Sequence, residues 1–411
     1  MQLQNSLENK FSKMKLSKNF HLSYCSNIHS GNDWKSHFKN IKKYVPIIKK
    51  QVCPNKNFGL GLRLSNLASK ELNSENNLSN FKDWLKEENI YIFTMNGFPY
   101  GNFHGNKVKD LVHEPDWTNQ DRVNYTTRLF NQLAYLLPEK MSGGISTSPI
   151  SYKHWHKTID DKKTALKIGA ENMIKIIFQL YEIEKKTNKY LHLDIEPEPD
   201  GLLENSNDVI NFYQNYLYPI GIEKIKSKLN INDKKARDCI KKYLTICYDI
   251  CHFSLAYEDP KDTFNKFNSN EIKIGKIQVS SALKIIFNKK NEKKIWDSLE
   301  KFDEPVYLHQ VTEYKNNKVK TYPDLPELFL NKKSFKELRA HFHVPIFLKE
   351  FDHLSSTQDH ILKVINYINT NKTLCDHLEI ETYTWEVLPS SLKTEIASSI
   401  IREIEWLKFK L

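Results

Sequence analysis

Residues 190–199 read YLHLDIEPEP. In an extended chain successive side chains point to opposite faces, so Leu191, Leu193 and Ile195 share one face and His192, Asp194 and Glu196 the other. Pro197 has no N–H with which to continue a ladder, which leaves Glu196 at a strand end. Three later stretches repeat the pattern. In residues 244–249 (LTICYD), Ile246 and Tyr248 alternate with Cys247 and Asp249. In residues 274–280 (IGKIQVS), Ile277 and Val279 alternate with Gln278 and Ser280. In residues 377–383 (HLEIETY), Leu378 and Ile380 alternate with Glu379 and Glu381. Each apolar row predicts contact with outer helices, and each polar row then points into a barrel.

Four more stretches of strand character come earlier, at 21–27, 58–64, 90–96 and 143–148, which makes eight. Helical patterns separate them. Thr118-Asn-Gln-Asp121 reads as a capping box opening a helix through Leu137. Residues 162–186 carry Leu166, Ala170, Met173, Ile177 and Tyr181 at helical spacing, and further helices are expected over 355–369 and 391–411. Strands alternating with helices predict an α/β fold with a parallel sheet, and eight is the number on which a (β/α)8 barrel closes. The expected organisation is a polar tail over 1–14 and one barrel domain over 15–411, with 281–376 inserted between the seventh and eighth strands. Residues 97–117 form a long loop after the third strand.

The 411 residues carry 61 Lys+Arg against 50 Asp+Glu, a net charge of +11. The basic residues are dispersed along helix faces, so no nucleic-acid partner is expected. Six cysteines without a CxxC pair, and no apolar segment of signal-peptide or membrane-spanning length, predict a cytoplasmic protein with reduced thiols and no transmembrane segment.

A barrel interior is ordinarily filled by branched apolar side chains, and acidic groups there are costly unless paired or metal-bound. The cost is lowest at the open mouth. A single strand-end carboxylate is most simply a helix cap or an ion-pair partner. Glu196, Asp249, Gln278 and Glu381 on consecutive strands, however, converge oxygen ligands on one point. Such a set predicts a divalent cation. Mg2+ suits oxygen alone, and a His among the ligands moves the preference to Mn2+ or Zn2+. His341 and His343 in AHFHVPIF share a side if that piece is extended and are further candidate ligands. Arg63, Asn96, His104, His252, His309 and Trp385 are candidates for substrate contact, Arg63 and His252 by positioning an oxyanion. Cys247 and Cys251 read as packing, since strand parity and the turn would not aim both at one metal.

At these residues the chain resembles the xylose isomerase-like TIM barrels, a superfamily of sugar isomerases, epimerases and the endonuclease IV group. More closely it resembles the metabolite traffic protein EboE family, through HLSYCSNIHSG, LDIEPEPDG, YDICHFSLAYE, KIQVSSALK, YLHQV, HFHVPIF and LEIETYTWEVLP. The superfamily resemblance implies that Glu196, Asp249 and Glu381 are metal ligands and that His252 meets substrate. Gln278 stands where the superfamily commonly has His, a weaker ligand that opens the place to His341 or His343. The function expected is a metal-dependent isomerase, epimerase or related lyase on a small hydroxy-carbonyl metabolite. Glu196 and Glu381 would exchange protons and His252 assist. The competing expectations are a metabolite carrier or scaffold and an endonuclease IV-like phosphoesterase. The EboE resemblance adds proteins of one operon as partners.

Overall fold

The computed structural model describes residues 20–102, 108–371 and 373–411. Eight parallel strands lie in one sheet. They are β1 (His21–Tyr24), β2 (Phe58–Arg63), β3 (Ile90–Asn96), β4 (Gly143–Thr147), β5 (Leu191–Ile195), β6 (Leu244–Asp249), β7 (Ile274–Val279) and the last strand of the chain, His377–Ile380. That last strand lies between β7 and β1, and a parallel bridge between Cys25 and Gly61 joins β1 to β2 and closes the ring. The eight strands therefore fall where the alternation of residues places them, and the fold is an α/β (β/α)8 barrel. No helix among the described residues is long and apolar enough to cross a membrane.

The helices differ from expectation at their ends. Asn119, not Thr118, caps the helix Gln120–Leu136, accepting from the Asp121 N–H at 2.8 Å, because Asp116 takes both the N–H and the hydroxyl of Thr118. A reciprocal capping box does open the helix Ile159–Thr187, between Thr158 and Asp161. The last helix begins only at Ile396, where Glu395 accepts from the Ser398 N–H.

The insertion builds a second, antiparallel sheet of six strands: β8 (Ala282–Ile286), β9 (Val311–Lys315), β10 (Lys318–Tyr322), β11 (Glu337–His343), β12 (Glu350–Phe351) and β13 (Leu354–Ser356). With these numbered, the last barrel strand is β14. β8 continues from β7 after only Ser280 and Ser281, so it leaves from the barrel mouth. β11 runs back along it, and His343 pairs with Ala282. This return delivers His341 and His343 to the mouth.

The barrel interior is polar, and glycines make room for it. A Cβ on Gly61 would stand 1.7 Å from Glu379 Oε1, one on Gly144 2.4 Å from Asp194 Oδ2, and one on Gly275 1.9 Å from Asp194 Oδ1. Lys276 and Glu379 form an ion pair at 2.6 Å with neither side chain exposed. Nearer the bottom, His192 Nδ1 and the Thr245 hydroxyl both donate to Asp194. Removing one member of a buried pair strands a charge and costs about 3–5 kcal/mol, whereas replacing both is often close to neutral. Lys276→Met is therefore expected to lower the urea-unfolding free energy by about that much, and Lys276→Met/Glu379→Met to restore most of it. Equal loss in the single and double variants would mean that the pair is not what holds Lys276 inside.

Candidate metal centre

Three strand ends bring carboxylates together. Glu196 follows β5, its N–H bonded to Thr147 O at 2.9 Å. Asp249 ends β6 and caps the short helix Ile250–Leu255. Its Oδ1 accepts from the His252 N–H at 3.1 Å and the Ser280 hydroxyl at 2.7 Å. Glu381 follows β14, and its Oε1 accepts from the amides of Asn27 and Asn96, both at 2.8 Å. One oxygen from each of Glu196, Asp249 and Glu381 lies within 4.8 Å of the others. Glu196 Oε2 and Asp249 Oδ2 are buried without a hydrogen-bond partner.

Imidazoles border this trio. His343 Nδ1 donates to the Glu381 carbonyl at 2.7 Å, and His252 Nδ1 to the Pro197 carbonyl at 2.9 Å. His341 Nδ1 faces Gln310 Oε1 at 2.9 Å, and the Gln310 amide nitrogen is committed to Pro199 O. A carbonyl oxygen only accepts, so in all three rings Nδ1 carries a proton. A metal-ligating His ordinarily fixes its other nitrogen in this way. The Nε2 atoms of His252 and His341 stand 3.1 Å apart, and His343 Nε2 has no partner. Ligand groups form here too: Asp249, His252 and His343; Glu198, His252 and His341; and Cys251, His341 and His343.

Charge at the site is unbalanced. Burial, then Glu381 and Asp249, raise the proton affinity of Glu196 well above the usual carboxylate range. Burial, then Asp249 and Glu379, do the same to Glu381. Burial also acts to raise Asp249, but His252, His343 and the Ser280 hydroxyl outweigh it and hold Asp249 below its ordinary value. Burial pulls His343 down to about 4 and His341 well below its usual range. Partnerless buried carboxylate oxygens, beside His341 and His343 with their proton affinity lowered, fit a divalent cation.

A cavity of about 70 Å³ lies over these groups. Glu196, Glu198, His252, His341, His343 and Glu381 line it on one side, with Asn27 and Asn96, and Phe98, Pro99, Val108, Tyr307, Leu308 and Tyr383 complete it. Its roof joins the loop after β3 to the insertion, through Val108 N–H to Val306 O at 2.8 Å and Lys109 to Asp324 at 2.5 Å.

Of the residues expected at the site, Glu196, Asp249, Glu381, His252, His341 and His343 come together, and Asn96 reaches Glu381. Gln278 is buried beside Asp249, but its oxygen accepts from the Cys247 thiol at 2.8 Å. Arg63 turns its guanidinium to the carbonyls of Pro99 and Gly101 and bolts down the loop after β3. His309 spends both ring nitrogens, on His341 O and Glu304, and so supports β11 from behind. Trp385 is buried outside the cavity lining, and His104 lies outside the described residues. Glu198 and Asn27 went unread in the sequence. Glu198 shares its parity with Glu196 in EPEP, and Asn27 ends the first strand stretch as Glu381 follows the last, so the signal was there. Ser280 was read as part of β7's inward row but not as the partner of Asp249.

No family model matches the chain, and no curated protein matches it. Solved structures resemble it distantly along most of its length. One is a D-tagatose 3-epimerase-like protein, with TM-score 0.49, 10% identity, and 95% of this chain and 97% of that chain covered. A xylose isomerase-like TIM barrel protein from Mycobacterium smegmatis, in complex with magnesium, gives TM-score 0.48 and 8% identity, with 96% of each chain covered. The probable 3-DHS dehydratase AsbF from Bacillus anthracis gives TM-score 0.44 and 10% identity, with 94% of this chain and 98% of that chain covered.

Because Glu196 and Glu381 hold protons more tightly than ordinary carboxyls, a cation entering between them must displace protons. Mn2+ binding near pH 7 is expected to release protons and to tighten as pH rises. Titration calorimetry in buffers of different ionisation enthalpy reads the release directly. A heat independent of buffer would mean that both carboxyls are already ionised in the metal-free protein.

Proposed function

We propose that this barrel mouth is the active site of a divalent-metal-dependent isomerase or epimerase, or a related lyase, acting on a small hydroxy-carbonyl metabolite. The observation that carries the reading is the buried trio of Glu196, Asp249 and Glu381, with partnerless oxygens on two of them, beneath a small cavity. The cavity volume, about 70 Å³, is well below the roughly 300–1,000 Å³ of drug-sized ligand sites, which favours a ligand of a few carbons.

Glu196, Asp249 and Glu381 would hold the cation, which when bound supplies Lewis acidity toward a carbonyl and its neighbouring hydroxyl. The remaining work falls to the chain. Asn27 and Asn96 fix one oxygen of Glu381, so its carboxyl cannot rotate away from the ligand. Glu196, with Oε2 unspent and its proton affinity raised, is placed to take a proton from carbon or oxygen and return it. Asp249, whose Oδ1 accepts from the His252 N–H and the Ser280 hydroxyl, is held in place facing the other two carboxyls. His252, anchored through Nδ1 to Pro197 O, presents Nε2 toward the cavity. Phe98, Tyr307, Leu308 and Tyr383 exclude water from the reacting atoms.

Protein purified without chelators is expected to carry bound divalent metal. The carboxylate-bound ion should be lost in Glu196→Gln/Glu381→Gln with the circular dichroism spectrum unchanged. Incubated in D2O with a panel of small hydroxy-aldehydes and hydroxy-ketones, the metal-loaded protein should place deuterium at the carbon next to the carbonyl. Glu196→Gln should slow that exchange by about 10²–10⁴-fold. An undiminished metal content in the double variant, or exchange undiminished in Glu196→Gln, would sink the assignment.

A further inference from the structure

We propose that Cys251, His341 and His343 form a second cation site beside the carboxylate trio, selective for a softer ion of the Zn2+ type and closed by the Cys251 thiolate. Cys251 lies in the first turn of the helix that Asp249 caps, and its N–H donates to the Ser280 hydroxyl at 2.9 Å. The residue is therefore tied to the same serine as Asp249 and is wholly buried. Its Sγ and one nitrogen from each of His341 and His343 lie within 4.8 Å of one another.

Three observations point to a cation rather than to packing. His343 Nε2 is buried, partnerless and, by the tautomer that the Glu381 carbonyl imposes, unprotonated. His341 carries its proton on Nδ1, toward Gln310 Oε1, and its Nε2 faces His252 Nε2 at 3.1 Å, so its lone pair is turned into the cluster. The third group is sulfur. Thiolate and imidazole select Zn2+-like ions, whereas the oxygen trio next to them suits Mg2+ or Mn2+. Bonds of about 2.0–2.3 Å to zinc put one sulfur and two nitrogens at tetrahedral positions roughly 3.3–3.6 Å apart, so the three atoms need close by at most about 1.5 Å. Asp249 and His252, which form a ligand group with His343, stand ready as a fourth ligand. On binding, the metal–sulfur bond replaces the S–H bond and the thiol proton leaves to solvent. Sequence parity had marked Cys251 as packing. It escapes that reading because it sits past the strand, on a helix whose turn swings its side chain toward β11.

Co2+ tests this without a substrate, since a thiolate bound to Co2+ gives a near-ultraviolet charge-transfer band that carboxylate and imidazole ligands do not. Chelator-stripped full-length protein titrated with Co2+ should develop the band and bind two ions. Cys251→Ser should abolish the band and weaken one of the two binding events at least tenfold, while Cys247→Ser leaves both intact. Glu196→Gln/Glu381→Gln should keep the band and lose the other ion, so failure of this site and failure of the carboxylate site read out separately. Unlabelled Zn2+ should displace the band-forming Co2+, and Mg2+ should not. No band in the unaltered protein would overturn the proposal, even if Cys251→Ser fails to fold. So would a band that survives in Cys251→Ser or Cys251→Ala.

Discussion

Lys276 and Glu379 meet at 2.6 Å in the middle of the barrel, with neither side chain reaching water. Each alone would carry a desolvation cost of several kcal/mol. Together, with Gly61 leaving the space that Glu379 occupies, they make a charged interior tolerable. The consequence reaches the mouth. Lys276 is the one cation among the strongest influences on Glu196 and Glu381, and it acts to lower the proton affinity of both. The carboxylate trio thus rests on a floor that already contains positive charge. Without it, three buried acids within 4.8 Å of one another would stay ionised even less readily.

The second sheet solves a different problem. Barrel strands end at the mouth and can offer only what their last residues carry. β8 leaves from the end of β7 and β11 returns along it, so two imidazoles arrive from outside the barrel at the same depth as the strand-end acids. Their orientation comes from oxygens that can only accept: Glu381 O for His343 and Gln310 Oε1 for His341. His309 then holds the carbonyl of His341, which extends the support one layer further back. The insertion is therefore part of the site's framework as well as its cover.

The barrel strands and the acidic trio were legible because both follow from a period of two. Leu191 and Asp194 cannot share a face, and a strand ended by Pro197 cannot hide Glu196. What parity cannot supply is the partner of a long side chain. Arg63 looked free to bind an anion, yet carbonyls of Pro99 and Gly101, more than thirty residues later in the chain, satisfy it. Gln278 had the right row, but the thiol of Cys247 on the adjacent strand took its oxygen. His309 fell to Glu304, five residues away, through a turn with no periodic signature. In the other direction, Glu198 lay beyond the strand end where alternation was no longer applied, although the prolines on either side keep that segment extended enough for it to reach the cluster.

Ligands drawn from a barrel strand and from an insertion must be held to each other, since a shift of an ångström spoils a metal site. The last helix, Ile396–Lys410, provides the tie. Glu403 Oε1 accepts from the Thr382 hydroxyl at 2.8 Å and from the Ile346 N–H at 3.1 Å, one residue beyond Glu381 and three beyond His343. Burial pushes its carboxyl up to about 8, so it stays near neutral where an ionised group would be costly. The Thr384 hydroxyl donates to His343 O and closes the same joint from the barrel side. Both ligand-bearing segments are thereby fastened to one buried side chain on the final helix, which explains why that helix packs its Glu403 inward among apolar residues rather than presenting it to water. The geometry of the mouth is thus set by the fold's outermost layer as much as by the strands that carry its ligands.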